Sequence, residues 1–217
     1  MILGKALACS QRNLSDAASA AGDAAANDPV EALFIEQLRN GDSDAFDRLI
    51  LRYSADIYAF LFRLTEDRDE AADLTQETFL SALKAMKSFR GEASLKTWLT
   101  RIAINHSRNR RRWWQRRGFG RTVSFETPVG DGELTLGGTI VGNGESVETE
   151  ILRRERELAI RKILAELPDK FREAVILCDI EGMTYDDIAA ALEISVGTVK
   201  SRISRGREEI RRRLKDF

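Results

Sequence analysis

The 217-residue chain is 43% apolar and 32% charged, a length for one ordinary domain or two small ones and the composition of a protein that buries a core while exposing much charged helix. No stretch reaches the ~20 apolar residues that a membrane span needs. Two distant cysteines, Cys9 and Cys178, and a single histidine, His106, supply neither a disulfide framework nor a zinc site, so no membrane insertion, no metal, no cofactor and a reducing, cytoplasmic setting are expected.

The formal net charge of −1 conceals blocks of opposite sign, and the blocks carry more information than the total. Residues 1–28 are rich in Ala, Ser and Asp without a period and read as a disordered tail. Met1 to Ala8 precedes a cysteine, but one basic residue, Lys5, and a short apolar stretch do not make a lipoprotein signal.

From Pro29 to about Arg117 apolar residues recur at steps of three and four, the period of a helix packed on one side. Phe34 and Leu38 mark a first helix, broken at Gly41-Asp42. Ser43 is placed to cap a second, which carries Phe46, Leu49, Ile50, Ile57, Phe60, Leu61 and Leu64. A third helix is expected from about Glu70 to Met86, with Ala72, Phe79, Leu83 and Met86 facing inward. Its Asp73, Gln76, Glu77 and Leu80 fall together elsewhere at i, i+3, i+4 and i+7. Residues 31–80 carry 12 acids against 5 bases. A carboxylate metal site built from Asp69, Asp73 and Glu77 would need a histidine or a second converging acidic helix, and the sequence offers neither.

The loop Arg90–Ser94 precedes a fourth helix that starts near Leu95 and passes Trp98, Ile102 and Asn105 into an arginine run; residues 101–121 hold 8 arginines and no acid. Trp98 reads as a core residue ahead of a base-stacking one. Trp113 and Trp114 suit either stacking on nucleic acid or packing against the domain. His106 reads as a surface or backbone-paired residue. Residues 118–149 hold 8 of the chain's 15 glycines, and 122–150 carry 6 acids and no base. This is a flexible acidic linker by composition.

Residues 150–217 are helical again. One helix ends at Leu167-Pro168 and a second runs from Phe171 to Ile180, stopped by Glu181-Gly182. Thr184 can then cap a short helix with Asp187 in its first turn. Ile188 and Leu192 form its inner face, and Ala189 is small where another helix crosses. Ser195 can cap the next helix, whose Val199, Ile203 and Ile210 bury against the first. Thr198, Lys200, Ser201, Ser204 and Arg205 are left facing outward, a basic and hydroxyl-bearing helix face of the kind a major groove accepts. From Lys200 to Lys215 there are 8 bases against 2 acids.

The run from Glu166 to Arg207, Glu-Leu-Pro-Asp-Lys-Phe-Arg-Glu-Ala-Val through Ser-Arg-Gly-Arg, resembles region four of sigma factors, which binds the minus-thirty-five element. Two departures stand out. Glu193 occupies a turn position where the family often has glycine, at a cost of roughly 1 kcal/mol if its backbone is left-handed. Gly206 interrupts a helix where alanine or a bulkier residue is common, and should weaken that helix slightly. Asp69-Glu-Ala-Ala-Asp-Leu-Thr-Gln-Glu-Thr-Phe-Leu resembles the part of sigma region two that grips polymerase. Phe89 through Arg112 is similar to the minus-ten recognition and melting segment, with the loop Glu92–Lys96 as a pocket wall for an unstacked base.

With no separate region three, the resemblance is to the extracytoplasmic-function (ECF) group of the sigma-70 family. It implies an all-α fold of two small helical domains, region two at 29–117 and region four at 150–217, joined by the linker at 118–149. It implies binding to core RNA polymerase through Asp73, Gln76, Glu77 and Leu80. Contact with minus-ten DNA would come through Ser94, Leu95, Lys96, Arg101, Asn105, Arg108 and Asn109. Contact with the minus-thirty-five element would come through Thr198, Lys200, Ser201, Ser204 and Arg205. An anti-sigma protein as a further partner also follows from the family, and no catalytic residue does. Two rival readings are a stand-alone helix-turn-helix regulator, which gives Asp73 to Glu77 no role, and a metal-dependent nuclease, which lacks a catalytic constellation.

Overall fold

The computed structural model of the chain describes residues 29–117 and 159–214. The expected tail at 1–28 and linker at 118–149 lie outside these residues. The described elements are helices: α1 Pro29–Arg39, α2 Ser43–Thr65, α3 Arg68–Ala85, α4 Leu95–Arg116, α5 over 159–166, α6 Asp169–Val175, α7 Tyr185–Leu192 and α8 Val196–Leu214. A single 3₁₀ turn, Met86–Ser88, extends α3, and a π-helical turn, Ile176–Ile180, extends α6.

The helix ends show where local chemistry sets the boundaries. Asp42, not Ser43, caps α2: its Oδ1 accepts from the amides of Asp44 at 2.9 Å and Ala45 at 3.1 Å. A carboxylate there satisfies two donors and meets the positive helix end. Asp67 caps α3 by accepting from the Glu70 amide at 2.9 Å, which starts that helix two residues before Glu70. Ser94 caps α4 through the Thr97 amide at 3.1 Å. Thr184 caps α7 through the Asp187 amide at 3.0 Å, and Ser195 accepts from the Thr198 amide at 3.2 Å at the head of α8. Between α7 and α8, Glu193 holds φ 57° and ψ 48°, the left-handed conformation its turn position requires.

Helices α1 to α4 pack around Leu49, Ile57, Leu61, Leu64, Leu74, Met86, Leu99 and Ile104, all essentially inaccessible. The inner face of α3 is Ala71, Leu74, Thr78, Phe79 and Ala82. Leu83 departs from the expected inward face: it is 47% exposed. Lying one residue, or about 100°, beyond Ala82, it turns out beside Leu80.

Ile188, Leu192, Val199 and Ile203 hold α7 against α8 as their spacing indicates, with Ala191 fully buried and Ala189 partly so at the crossing. This core is continuous with that of α1 to α4, because α7 packs directly on α4. A smaller cluster of Ile163, Leu164, Leu167, Val175 and Ile210 ties α5 and the end of α8 to α6.

Gly206 has a role that helix propensity alone misjudges. It is buried, and a Cβ there would lie 2.6 Å from Val175 Cγ2 and 3.4 Å from Phe171. Glycine is therefore what lets α8 reach α6. Gly206→Ala should add overpacking of about 1–3 kcal/mol against a helix-propensity gain of about 1 kcal/mol, for a net loss of stability in urea denaturation. In a Val175→Ala background the clash disappears, so the same substitution should become neutral or stabilising there.

Candidate nucleic-acid and protein interfaces

Helix α8 carries its expected outward face intact. Lys200, Ser201, Ser204 and Arg205 are exposed, and Thr198 is half-buried. The Thr198 and Ser195 hydroxyls lie 2.9 Å apart, Ser201 donates to the Thr198 carbonyl at 2.9 Å, and the Lys200 ammonium sits 5.9 Å from the Tyr185 ring. The face is thus a cationic surface with hydroxyls, pre-positioned by α8 and offered to solvent. Behind it, Arg207 is anchored inward by Asp179, with Nε at 3.0 Å.

The α3 face brings Asp73, Gln76 and Leu80 together, all exposed. Glu77 lies beside them but is committed: it accepts from Arg110 at 2.6 Å and stands 3.4 Å from His106 Nδ1. The Ser81 hydroxyl meets His106 Nε2 at 2.8 Å, so His106 is paired by side chains rather than by backbone. With Leu83 turned outward, the exposed face of α3 is apolar toward its C-terminal end.

The third surface centres on α4. A pocket of about 260 Å³ is walled by Arg90, Glu92, Ala93, Trp98 and Arg101, and also by Ala190 of α7. Trp98 is a core residue tilted against Phe89 at 5.0 Å, and its edge still reaches the pocket. Ser94 is exposed. Leu95 is 1% exposed, so it supports the loop from beneath and presents no side chain to DNA. Lys96 reaches across to Asp56 at 2.9 Å. Asn105 and Asn109 are exposed. Trp113 and Trp114 meet edge to face at 4.8 Å, each about a third exposed, with Arg117 stacked 4.0 Å over Trp113. They stay at the surface rather than entering the core.

The remaining α4 groups are occupied by the C-terminal helices. Arg108 donates to both oxygens of Glu173, at 3.1 and 2.6 Å. Thr97 donates to Asp187 at 2.8 Å, Arg101 lies 3.9 Å from Glu193, and Arg111 pairs with Asp169. On α2, Arg63 pairs with Glu181 at 2.6 Å. The hydrogen bonds that Arg108 donates to Glu173 hold its guanidinium more firmly charged, while burial pushes the Glu181 carboxyl up despite Arg63.

Sequence reading misses these partners because Arg108 and Glu173 are 65 residues apart. The available signal was a charged pair, Arg172-Glu173, directly before the apolar run Ala174 to Cys178. Arg172 is itself fully buried, bonding Asp169 at 2.8 Å and the Ala165 carbonyl at 3.2 Å.

Among the described residues no group of three or more His, Cys, Asp or Glu side chains is placed to hold a metal, and no helix is long and apolar enough to cross a membrane. Burial, with Asp179 adding to it, pushes the Cys178 thiol up to about 11. At neutral pH it is therefore a thiol, and only the thiolate is a nucleophile. Alkylation of Cys178 by iodoacetamide at pH 7.5 should run about tenfold or more slower than that of a free cysteine, because two units of pKa cut the thiolate fraction about a hundredfold while the greater nucleophilicity of the more basic thiolate offsets about half of that on a logarithmic scale. Mass mapping of the modified peptide measures it.

The chain matches two family models, "Sigma-70 region 2" over residues 49–117 and "Sigma-70, region 4" over 157–210. It is 39% identical over 176 residues to the RNA polymerase sigma-H factor of Pseudomonas aeruginosa, covering 81% of this chain and 89% of that one. It is 34% identical to the ECF RNA polymerase sigma-E factor of Haemophilus influenzae, covering 85% and 95%. Among solved structures it is similar to the sigma factor RpoE of Bartonella quintana, in a co-crystal structure with the anti-sigma factor NepR. That match has a TM-score of 0.59 and 28% identity, covering 78% of this chain and 96% of that one. With both sigma regions in order and relatives matched over most of their own length, this chain belongs to the sigma-70 family as an ECF sigma factor.

Proposed function

We propose that the protein binds core RNA polymerase, directs it to specific promoters and assists promoter melting, with Asp73, Gln76, Leu80 and Leu83 as the docking face on α3. It does this by binding energy alone and makes or breaks no covalent bond. The observation that supports the reading is the presence of two unlike polar surfaces on different helices. The α8 face is convex, basic and hydroxyl-bearing, which suits the edge of duplex DNA. The α4 surface has a pocket with Trp98 at its wall and amides and guanidinium groups along the helix, which suits an unstacked base and a single strand. A stand-alone operator-binding regulator would need the first surface and not the second. An anti-sigma protein as partner and a cytoplasmic location belong to the same reading.

Two experiments follow. Gln76→Ala with Leu80→Ala should weaken capture of core polymerase by roughly tenfold or more, while thermal stability stays close to that of the parent, because exposed substitutions usually fall within about 0.5 kcal/mol. Glu77 is left unchanged because it holds Arg110. On promoter DNA, Arg205→Ala should weaken closed-complex formation by about 1–3 kcal/mol if it reads a base edge. Asn105→Ala with Asn109→Ala should spare closed binding and impair opening, and a pre-melted template should partly restore it. Gel shifts and permanganate footprinting separate the steps; normal opening by the Asn105/Asn109 variant would refute the assignment to α4.

A further inference from the structure

We propose that Arg207, clamped by Asp179, is the positioning residue of α8: the pair sets the rotation of that helix and so decides where Arg205, Ser204 and Lys200 meet duplex DNA. The inference rests on the reading function proposed above for α8.

Three contacts define how α8 sits. The first is apolar, with Val199, Ile203 and Ile210 buried along its inner side. Burial of this kind is non-directional, so it fixes depth better than angle. The second is steric. Gly206 comes so close to Val175 Cγ2 that a Cβ would lie 2.6 Å from it. Glycine lets α8 approach α6 there, yet it offers no side chain that would interlock and resist turning.

The third contact is directional and belongs to the next residue. Arg207 donates from Nε to Asp179 Oδ2 at 3.0 Å and from Nη2 to Oδ1. A two-point fork fixes angle as well as distance. Both groups are largely withdrawn from water, Asp179 to 10% and Arg207 to 27% of side-chain exposure. The hydrogen bonds to Asp179 hold the Arg207 guanidinium more firmly charged, against the effect of burial.

Asp179 lies in the π-helical turn Ile176–Ile180, a winding that often marks a functional position. Val175, four residues earlier, is the one that meets Gly206. Nearby points of α6 and its extension thus hold consecutive residues of α8. Arg207 also follows Lys200 by seven residues, about two turns, and so shares its flank of the helix. There Lys200 stands 5.9 Å from the Tyr185 ring. The fork therefore acts beside the reading face. Turning α8 by about 10° would move a side chain at its outer radius by about 1 Å, while a recognition group has to be held within about 0.5 Å.

The test uses the full chain bound to core RNA polymerase, and duplexes randomised across the upstream element ahead of a fixed pre-melted segment. Sequencing bound against input DNA gives the discrimination, the enrichment of preferred over average sequences. Arg207→Lys replaces the fork by a single-point contact and should lower discrimination about tenfold, with a much smaller fall in binding to the averaged pool. Arg205→Ala should cost about tenfold in the parent but less than about twofold in the Arg207→Lys background, because a misplaced Arg205 has little left to lose. Asp179→Glu with Arg207→Lys restores the charge pair and the combined side-chain length without the fork. Its melting temperature should return to near that of the parent while discrimination stays low. Asp179→Asn should lower discrimination as Arg207→Lys does, and it carries the test if Arg207→Lys does not fold.

Discrimination at the parent level in Arg207→Lys or Asp179→Asn overturns the proposal. So do additive losses on adding Arg205→Ala, and so does recovery of discrimination together with stability in the paired variant, which would make the pair a stabilising contact only. If the parent holoenzyme itself enriches no sequence, the reading role of α8 fails and the positioning role falls with it; if the parent enriches and the variants match it, positioning alone is wrong.

Discussion

Arg108 and Glu173 form the contact on which the arrangement of the two halves depends. Glu173 retains 6% of its side-chain exposure and Arg108 28%. A carboxylate so buried is tolerable only with a partner that satisfies both of its oxygens, and the guanidinium fork does so in a charge-assisted, two-pronged geometry. The pair therefore specifies position more than it adds stability. If α4 moves away, Glu173 must find water or another cation, and the surrounding face of Ala174, Ile176 and Leu177 is apolar.

Helix α4 consequently does three things at once. Its Leu95, Leu99, Ala103 and Ile104 side is the core of the first bundle. Another side takes the C-terminal helices through Thr97, Arg101, Arg108 and Arg111. Asn105 and Asn109 remain outward. Arg108 and Arg111 are held there by Glu173 and Asp169 of α6, and a phosphate backbone would present oxygen anions of the same kind. Helix α8, by contrast, separates its tasks cleanly. Val199, Ile203, Gly206 and Ile210 pack inward, while Lys200, Ser204 and Arg205 face out.

What the sequence discloses is what local chemistry decides. Thr184 with Asp187, Ser195, the left-handed Glu193 and the Ile188–Leu192–Val199–Ile203 pattern were all legible, because capping and helical period act within one or two turns. The family resemblance supplied the order of the regions. Contacts set at long range were not legible. Leu83 repeats at a plausible step but falls on the wrong side of a face that Ala82 decides. Gly206 looks like a helix weakness until Val175 is seen above it. The arginine block of α4 announced its sign without its partners: Arg108 and Arg111 meet Glu173 and Asp169 of α6, and Arg110 meets Glu77 of α3. Charge blocks in a sequence indicate what a surface attracts; only the fold decides which oppositely charged group arrives first.

The central claim is that α4, proposed above as a promoter-DNA surface, is held by the C-terminal helices in the free chain, and the distance between the loop before it and α7 reports that contact most directly. Dyes placed at Arg90 and Asp186, both exposed, in a chain whose two native cysteines are replaced, allow that distance to be followed by single-molecule energy transfer. The account predicts one high-efficiency population for the free chain and its conversion to low efficiency when core polymerase and promoter DNA are added. A free chain that already shows the low, broad distribution of two tethered bodies, unchanged by polymerase, would contradict it.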